Sequence, residues 1–97
     1  MLITLSSKNL QLTDGLKTFL IARLSKLQKF TSKLSHIHIL LDVDRKHKGT
    51  AVDSTVELIG DIDGKTIAVR ESSSTFYKAF FGAIDKMKVR MKRLKKD

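Results

Sequence analysis

The chain has 97 residues and a formal net charge of +9, from 19 Lys and Arg against 10 Asp and Glu. This length fits one domain over residues 1–97 with a modest core, and the charge favours polyanionic partners. Because cysteine is absent, disulfides and thiolate metal sites are excluded. No apolar run approaches a membrane span, and no signal-peptide pattern opens the chain, so we expect a cytoplasmic protein without a membrane partner.

The first part of the chain predicts a strand, a helix and a second strand. Residues 2–6 are typical of a short strand. Thr13 is expected to cap a helix, with Asp14 where the helix dipole favours an anion. Apolar residues then recur at helical spacing over 16–30. From 35 to 44 they alternate instead, which predicts a half-buried strand.

Two further strands follow. Polar turns are expected at 45–49 and at 60–64, on either side of an alternating strand over 52–59. Ile67 and Val69 mark a fourth strand. These strands can pair with their neighbours as hairpins.

A second helix ends the chain, with Ser74 or Thr75 as its cap. Its apolar residues share one side: Phe76, Phe80, Ala83, Ile84, Met87, Met91 and Leu94. The element order is therefore β-α-β-β-β-α, in which the first β-α-β step requires a right-handed crossover and a parallel strand pair. The predicted fold is α+β, a four-stranded mixed sheet with two helices packed on one face.

The positive charge is concentrated on the helices. Residues 75–97 hold eight of the 19 basic residues and two of the ten acidic ones. On a helical wheel they form two stripes that flank the apolar side: Lys86, Arg90 and Arg93 on one flank, and Lys88, Lys92 and Lys95 on the other. The first helix has a smaller patch at Arg23, Lys26 and Lys29. Arg23 points almost into the apolar side, so its stem could follow the cleft between the helices while its head reaches solvent.

The charge pattern predicts a phosphate-binding surface formed by both helices. The alternative is a solvated helix whose basic residues merely match the dipole, which the uneven charge disfavours.

The sheet is not expected to read bases, because all six aromatic residues fall in the predicted helices. Its open face should carry a mixed set: His38, Asp42, Thr55, Glu57 and Arg70. Phe81 points away from the core, where a contact with a neighbouring element is favoured over stacking on a base or a partner.

No pattern indicates catalysis. His36 and His38 lie near Asp42 and could in principle bind a metal, but no third ligand stands at a fixed spacing. Phosphate-binding loops, nucleophile elbows and Ser-His-Asp sets are absent. We therefore expect a protein that is not an enzyme and that uses no metal, cofactor or small-molecule substrate.

Five stretches of sequence carry a resemblance to a known family: residues 7–13, 22–30, 38–41, 76–79 and 84–87. In this order and spacing the chain resembles the short hibernation-promoting factors, whose family includes the ribosome-associated inhibitor. The likeness covers essentially the whole chain. It departs from the family at Phe81, where an acidic residue is common, and at Val89-Arg90, where an Arg-Gln pair is common.

The resemblance implies a factor that binds small-subunit ribosomal RNA near the decoding centre. Such a factor blocks messenger and transfer RNA and inhibits translation in resting or stressed cells, in some cases beside a companion hibernation factor. The RNA contacts it implies are Arg23, Lys26, Lys29, Lys86, Arg93 and Lys95, with Arg90 supplying the charge that Val89 lacks. Two alternatives stay open: a general double-stranded RNA-binding or RNA-chaperone module, and a protein-interaction module that docks on an acidic partner.

Overall fold

The computed structural model describes residues 1–30, 32–46 and 51–95, with the side chains of 45, 46, 51, 52 and 95 left out. Its elements are strand β1 (Leu2–Lys8), helix α1 (Asp14–Ser25), a 3₁₀ helix (Lys26–Lys29), strands β2 (Leu34–Lys46), β3 (Ala51–Ile62) and β4 (Lys65–Ser73), and helix α2 (Phe76–Lys95). The strands form one sheet in the order β1-β2-β3-β4. The predicted β-α-β-β-β-α order and the α+β fold are confirmed.

The sheet is mixed, as expected. β1 and β2 pair in parallel, with Leu5 opposite Ile39. β2 pairs with β3 and β3 with β4 in antiparallel fashion. Because both helices follow strands that point the same way, α1 and α2 also run in the same direction across one face of the sheet.

Both helices begin at threonine caps. The Thr13 hydroxyl oxygen accepts a hydrogen bond from the Leu16 amide at 3.2 Å. Of the two residues expected to cap α2, it is Thr75 whose hydroxyl accepts from the Lys78 amide, at 3.3 Å. The helical run expected to reach residue 30 tightens after Ser25 into the 3₁₀ helix. Three residues per turn place positions i and i+3 of this segment above one another.

The turn predicted over residues 60–64 is wrong in extent. β3 continues to Ile62, and the reversal is made by Asp63 and Gly64, whose φ angles are +52° and +79°. Two positive φ angles make a tight turn that matches the twist of the strands. Gly60 lies inside β3, where an added Cβ would stand 3.4 Å from Leu34 Cδ1 and 3.6 Å from Met87 Cε. These are ordinary van der Waals distances, and they show that Met87 of α2 packs directly over this position of the strand. In the turn predicted over 45–49, residues 45 and 46 belong to β2 and 47–49 lie outside the described residues.

One apolar core lies between the sheet and the helices. It takes Leu20, Leu24 and Leu27 from the first helical segment, Ile37, Ile39, Leu41, Val56 and Leu58 from the strands, and Phe80, Met87 and Met91 from α2. The alternating strand residues face solvent on the other side of the sheet. Within the described ranges, neither helix is long and apolar enough to cross a membrane.

Candidate nucleic-acid interface

On the outer surface, side chains of the first helical segments meet those of α2 along a line that we call the interhelical seam. It consists of Phe19, Arg23, Phe30, Tyr77, Phe81, Lys88 and Lys92. At one end, the Phe19 ring centroid lies 5.6 Å from that of Tyr77 and 6.3 Å from that of Phe81. At the other end, the Phe30 ring lies beneath the ammonium groups of α2. The seam is therefore aromatic where the helices begin and cationic where they end.

Arg23 occupies the middle of the seam. Its guanidinium carbon lies 5.5 Å from the centroid of Phe19 and 5.5 Å from that of Phe81. The side chain is exposed, as is Phe81 at 39%. The expected course of Arg23 along the cleft is confirmed, and so is the expected contact of Phe81 with a neighbouring element. Cation–π attraction of this kind, about 0.5–1 kcal/mol at an exposed site, favours this position of the charge.

The cationic end of the seam depends on Phe30. The Nζ atoms of Lys88 and Lys92 lie 5.5 Å and 5.8 Å from the Phe30 ring centroid. Lys26 and Lys29 are exposed on the 3₁₀ helix directly before Phe30. The stacking of positions i and i+3 keeps these two lysines on one side of the segment that leads to Phe30.

A second basic group, the edge cluster, lies on the opposite flank of α2 beside the outer strand β4. It consists of Arg70, Lys86, Arg90 and Arg93, which line an open groove of about 510 Å³ together with Ala68, Val69, Asp85 and Val89. Lys86 is engaged within it: its Nζ lies 3.0 Å from a Glu71 carboxylate oxygen and donates to the Arg70 carbonyl at 3.1 Å.

The structure thus divides the residues predicted to bind RNA. Arg23 lies in the seam and Lys26 and Lys29 stand beside it, whereas Lys86, Arg90 and Arg93 lie in the edge cluster. Lys95 ends α2, and its side chain lies outside the described residues. The predicted set omitted Lys88 and Lys92, although the helical wheel had already put them on one flank. The helical wheel could not show that this flank faces the first helical segment. The structure shows it, because Phe30 lies beneath Lys88 and Lys92.

The two faces of the molecule carry opposite charge. The first helical segments carry four basic residues and α2 carries seven, with Asp14 and Asp85 as their only acidic residues. Among the described side chains, the open face of the sheet, opposite the buried positions, carries two basic residues, Lys8 and Arg70, of which Arg70 also lines the edge groove, and five acidic ones: Asp42, Asp44, Asp53, Glu57 and Asp61. A polyanion is therefore attracted to the helices and repelled by the sheet.

The two histidines of β2, His36 and His38, have structural partners. Nε2 of His36 and of His38 lie 2.8 Å from the hydroxyl oxygens of Thr4 and Ser6 on β1. The two imidazoles stack at 6.3 Å, and His36 Nδ1 lies 3.7 Å from an Asp61 carboxylate oxygen. Among the residues that the structure describes, no group of three or more His, Cys, Asp or Glu could hold a metal ion.

Comparison with known proteins gives consistent matches. The family model described as sigma 54 modulation protein / S30EA ribosomal protein matches residues 3–97. The ribosome hibernation promoting factor of Escherichia coli (strain K12) is 23% identical over 87 residues, covering 90% of this chain and 85% of that protein. The Shigella flexneri protein of the same name gives the same figures.

Two solved structures share the fold. A ribosomal subunit interface protein from Coxiella burnetii superposes with a TM-score of 0.85 at 18% identity, over 100% of both chains. The N-terminal domain of Thermus thermophilus Protein Y gives a TM-score of 0.76 at 22% identity, covering 97% of this chain and 99% of that one.

Proposed function

Since the chain belongs to the sigma 54 modulation protein / S30EA ribosomal protein family, we propose that it binds the small ribosomal subunit with its helices against ribosomal RNA. Bound near the decoding centre, it occupies the channel of messenger and transfer RNA and inhibits translation in resting cells. The family is one of non-enzymatic ribosome-binding proteins involved in hibernation, in agreement with the absence of catalytic patterns in the sequence. The proposed location is the cytoplasm, where ribosomes are.

The observation that carries this proposal is the opposite charge of the two faces. Eleven basic and two acidic residues lie on the helical segments, whereas five acidic and two basic described side chains lie on the open sheet face. RNA can approach the helices with favourable electrostatics but cannot approach the sheet in the same way. The helical face is therefore the RNA-facing side, and the acidic sheet is turned away from the phosphate backbone.

Recognition on this surface is mainly of the RNA backbone. Lysine and arginine side chains along the seam and the edge cluster bind phosphate oxygens, arginine through its planar fork and lysine as a mobile charge. Contacts of this kind position a protein on RNA without reading its sequence. The shape of the ribosomal RNA, which sets the spacing of its phosphates, then selects the site.

Co-sedimentation with ribosomes tests the proposal. The full chain should pellet with small subunits at low salt and be released as salt rises, since each phosphate contact contributes roughly 0.7–0.9 to the slope of log affinity against log salt. It should also suppress translation in a cell extract. A chain that stays in the supernatant at low salt, or that binds without suppressing translation, contradicts the proposal. Equal affinity for any RNA duplex would instead support the double-stranded RNA-binding alternative.

A further inference from the structure

We propose that the aromatic end of the seam, formed by Tyr77, Phe81 and Arg23, is a stacking site for one unpaired RNA base. This inference rests on the proposed function, because RNA must first be held on the helical face. It gives this surface, which otherwise binds phosphates, one contact with a base.

Tyr77 and Phe81 are held in place yet remain open to solvent. Tyr77 is 55% exposed and Phe81 39%, and they are the exposed aromatic side chains of the described residues. They stand four residues apart on α2, which places them on the same side of the helix. The half-buried Phe19 contacts both edge to face, at interplanar angles of 79° and 89°. Aromatic contacts of this kind favour the observed orientation of the two rings, so less conformational freedom is lost when a base stacks on them.

Arg23 adds a planar cation to the same site. Its guanidinium lies 5.5 Å from the centroids of Phe19 and Phe81, so both helices hold it. A guanidinium plane can stack on a base or donate to the phosphate of the same nucleotide. The site therefore offers an apolar surface for the base of a nucleotide and a positive charge for its phosphate.

The rest of the seam favours RNA over an apolar segment of protein. Lys88 follows Phe81 by seven residues, about 10 Å along the helix axis. A strand with its base at the aromatic end can thus extend its phosphates toward Lys88 and Lys92. An apolar protein segment lying along the seam would instead bury these ammonium groups without partners, which is costly.

Tyr77 supplies its own signal for a test. The chain has one tyrosine and no tryptophan, so its intrinsic fluorescence reports on Tyr77 alone. The full chain is titrated at low salt with a short single-stranded oligoadenylate, and with an abasic ribose-phosphate oligomer of the same length and charge. The oligoadenylate should quench the fluorescence. It should also bind more tightly than the abasic oligomer, by about fivefold or more, as expected for one stacked base.

Two substitutions separate stacking from charge. Phe81→Leu keeps an apolar contact with Phe19 but removes the aromatic ring. It should weaken binding of the oligoadenylate about fivefold or more and leave the abasic oligomer unaffected. Ile21→Ala is the control, because Ile21 is also an exposed hydrophobic residue of the helices, at 43%, but lies neither in the seam nor in the edge cluster. Thermal melting of each variant checks that the fold is retained.

Three results would overturn the inference. Equal binding of the two oligomers without quenching would show that no base stacks, while ribosome binding would still uphold the proposed function. Oligoadenylate binding unchanged in Phe81→Leu would exclude the aromatic ring as the platform. Loss of ribosome binding in Phe81→Leu, without any preference for bases, would indicate that this site docks on a protein. Failure of the proposed function is recognised separately, since the unsubstituted chain would then not pellet with ribosomes.

Discussion

The Lys86 ammonium group lies 3.0 Å from a carboxylate oxygen of Glu71 and joins α2 to strand β4. It also donates to the Arg70 carbonyl at 3.1 Å, which covers part of the outer edge of the sheet. Gly82 makes room for the pair, since a Cβ there would stand 2.8 Å from Glu71 Cγ. Lys86 therefore stabilises the fold as well as adding positive charge.

We expect Lys86→Gln to reduce ribosome binding less than Arg93→Gln does. The charge of Lys86 is already balanced by Glu71, so its removal costs few contacts with phosphate. It leaves the Glu71 carboxylate only partly compensated. The free energy of unfolding should fall by up to about 1 kcal/mol, the usual range for a partly exposed pair. Urea unfolding and co-sedimentation measure the two effects. Equal loss of binding in the two variants would mean that Lys86 leaves Glu71 to bind RNA.

The double substitution Lys88→Glu with Lys92→Glu should strongly weaken ribosome binding. It reverses two charges at the cationic end of the seam, and the slope of log affinity against log salt should decrease by about 2. Lys8→Glu with Lys65→Glu is the matched control, with the same change in net charge at exposed strand positions away from the helices. Similar losses in both double variants would show that overall charge, and not the seam, governs binding.

The fold could be predicted because each element has a local signal. The alternation around Ile37 and Ile39 indicated a half-buried strand, and Thr13 indicated the start of a helix. The family resemblance, confirmed by the matching family model, agreed with the same element order. These features depend on residues that are close in sequence, so pattern and propensity suffice to find them.

The site could be predicted only in part because its contacts join distant residues. Lys88 and Phe30 are 58 positions apart, and nothing near either residue indicates that they meet. The pairing of Lys86 with Glu71 likewise depends on how α2 crosses β4. Gly60 was taken as a turn residue, whereas it lies inside β3, where Met87 packs over it. Composition located the charge, but packing decided which charges stand together.

Arg23→Lys should cost stability although it preserves the charge. A lysine ammonium can still lie over one ring but cannot present a planar group to both Phe19 and Phe81. The free energy of unfolding should therefore fall by part of the roughly 0.5–1 kcal/mol that an exposed cation–π contact contributes. Urea unfolding of this variant against Lys26→Arg, a conservative change at an exposed neighbouring position, measures the difference. An unchanged midpoint for Arg23→Lys would show that the two ring contacts do not stabilise the fold.

Leu27→Ala should destabilise the fold by roughly 2–5 kcal/mol, since it removes buried methyl groups and leaves a cavity. Leu27 is 1% exposed and lies on the 3₁₀ helix between Lys26 and Lys29. The adjacent and exposed Gln28 provides the control, because Gln28→Ala removes a similar number of side-chain atoms without opening the core. Urea unfolding should show a large shift of the midpoint for Leu27→Ala and little for Gln28→Ala.

Because Leu27 anchors the segment that carries Lys26 and Lys29, ribosome binding should weaken in Leu27→Ala only under conditions where unfolding is detectable. Loss of binding by a fully folded Leu27→Ala protein would show that the position of the 3₁₀ helix, and not only its stability, controls the RNA-facing surface.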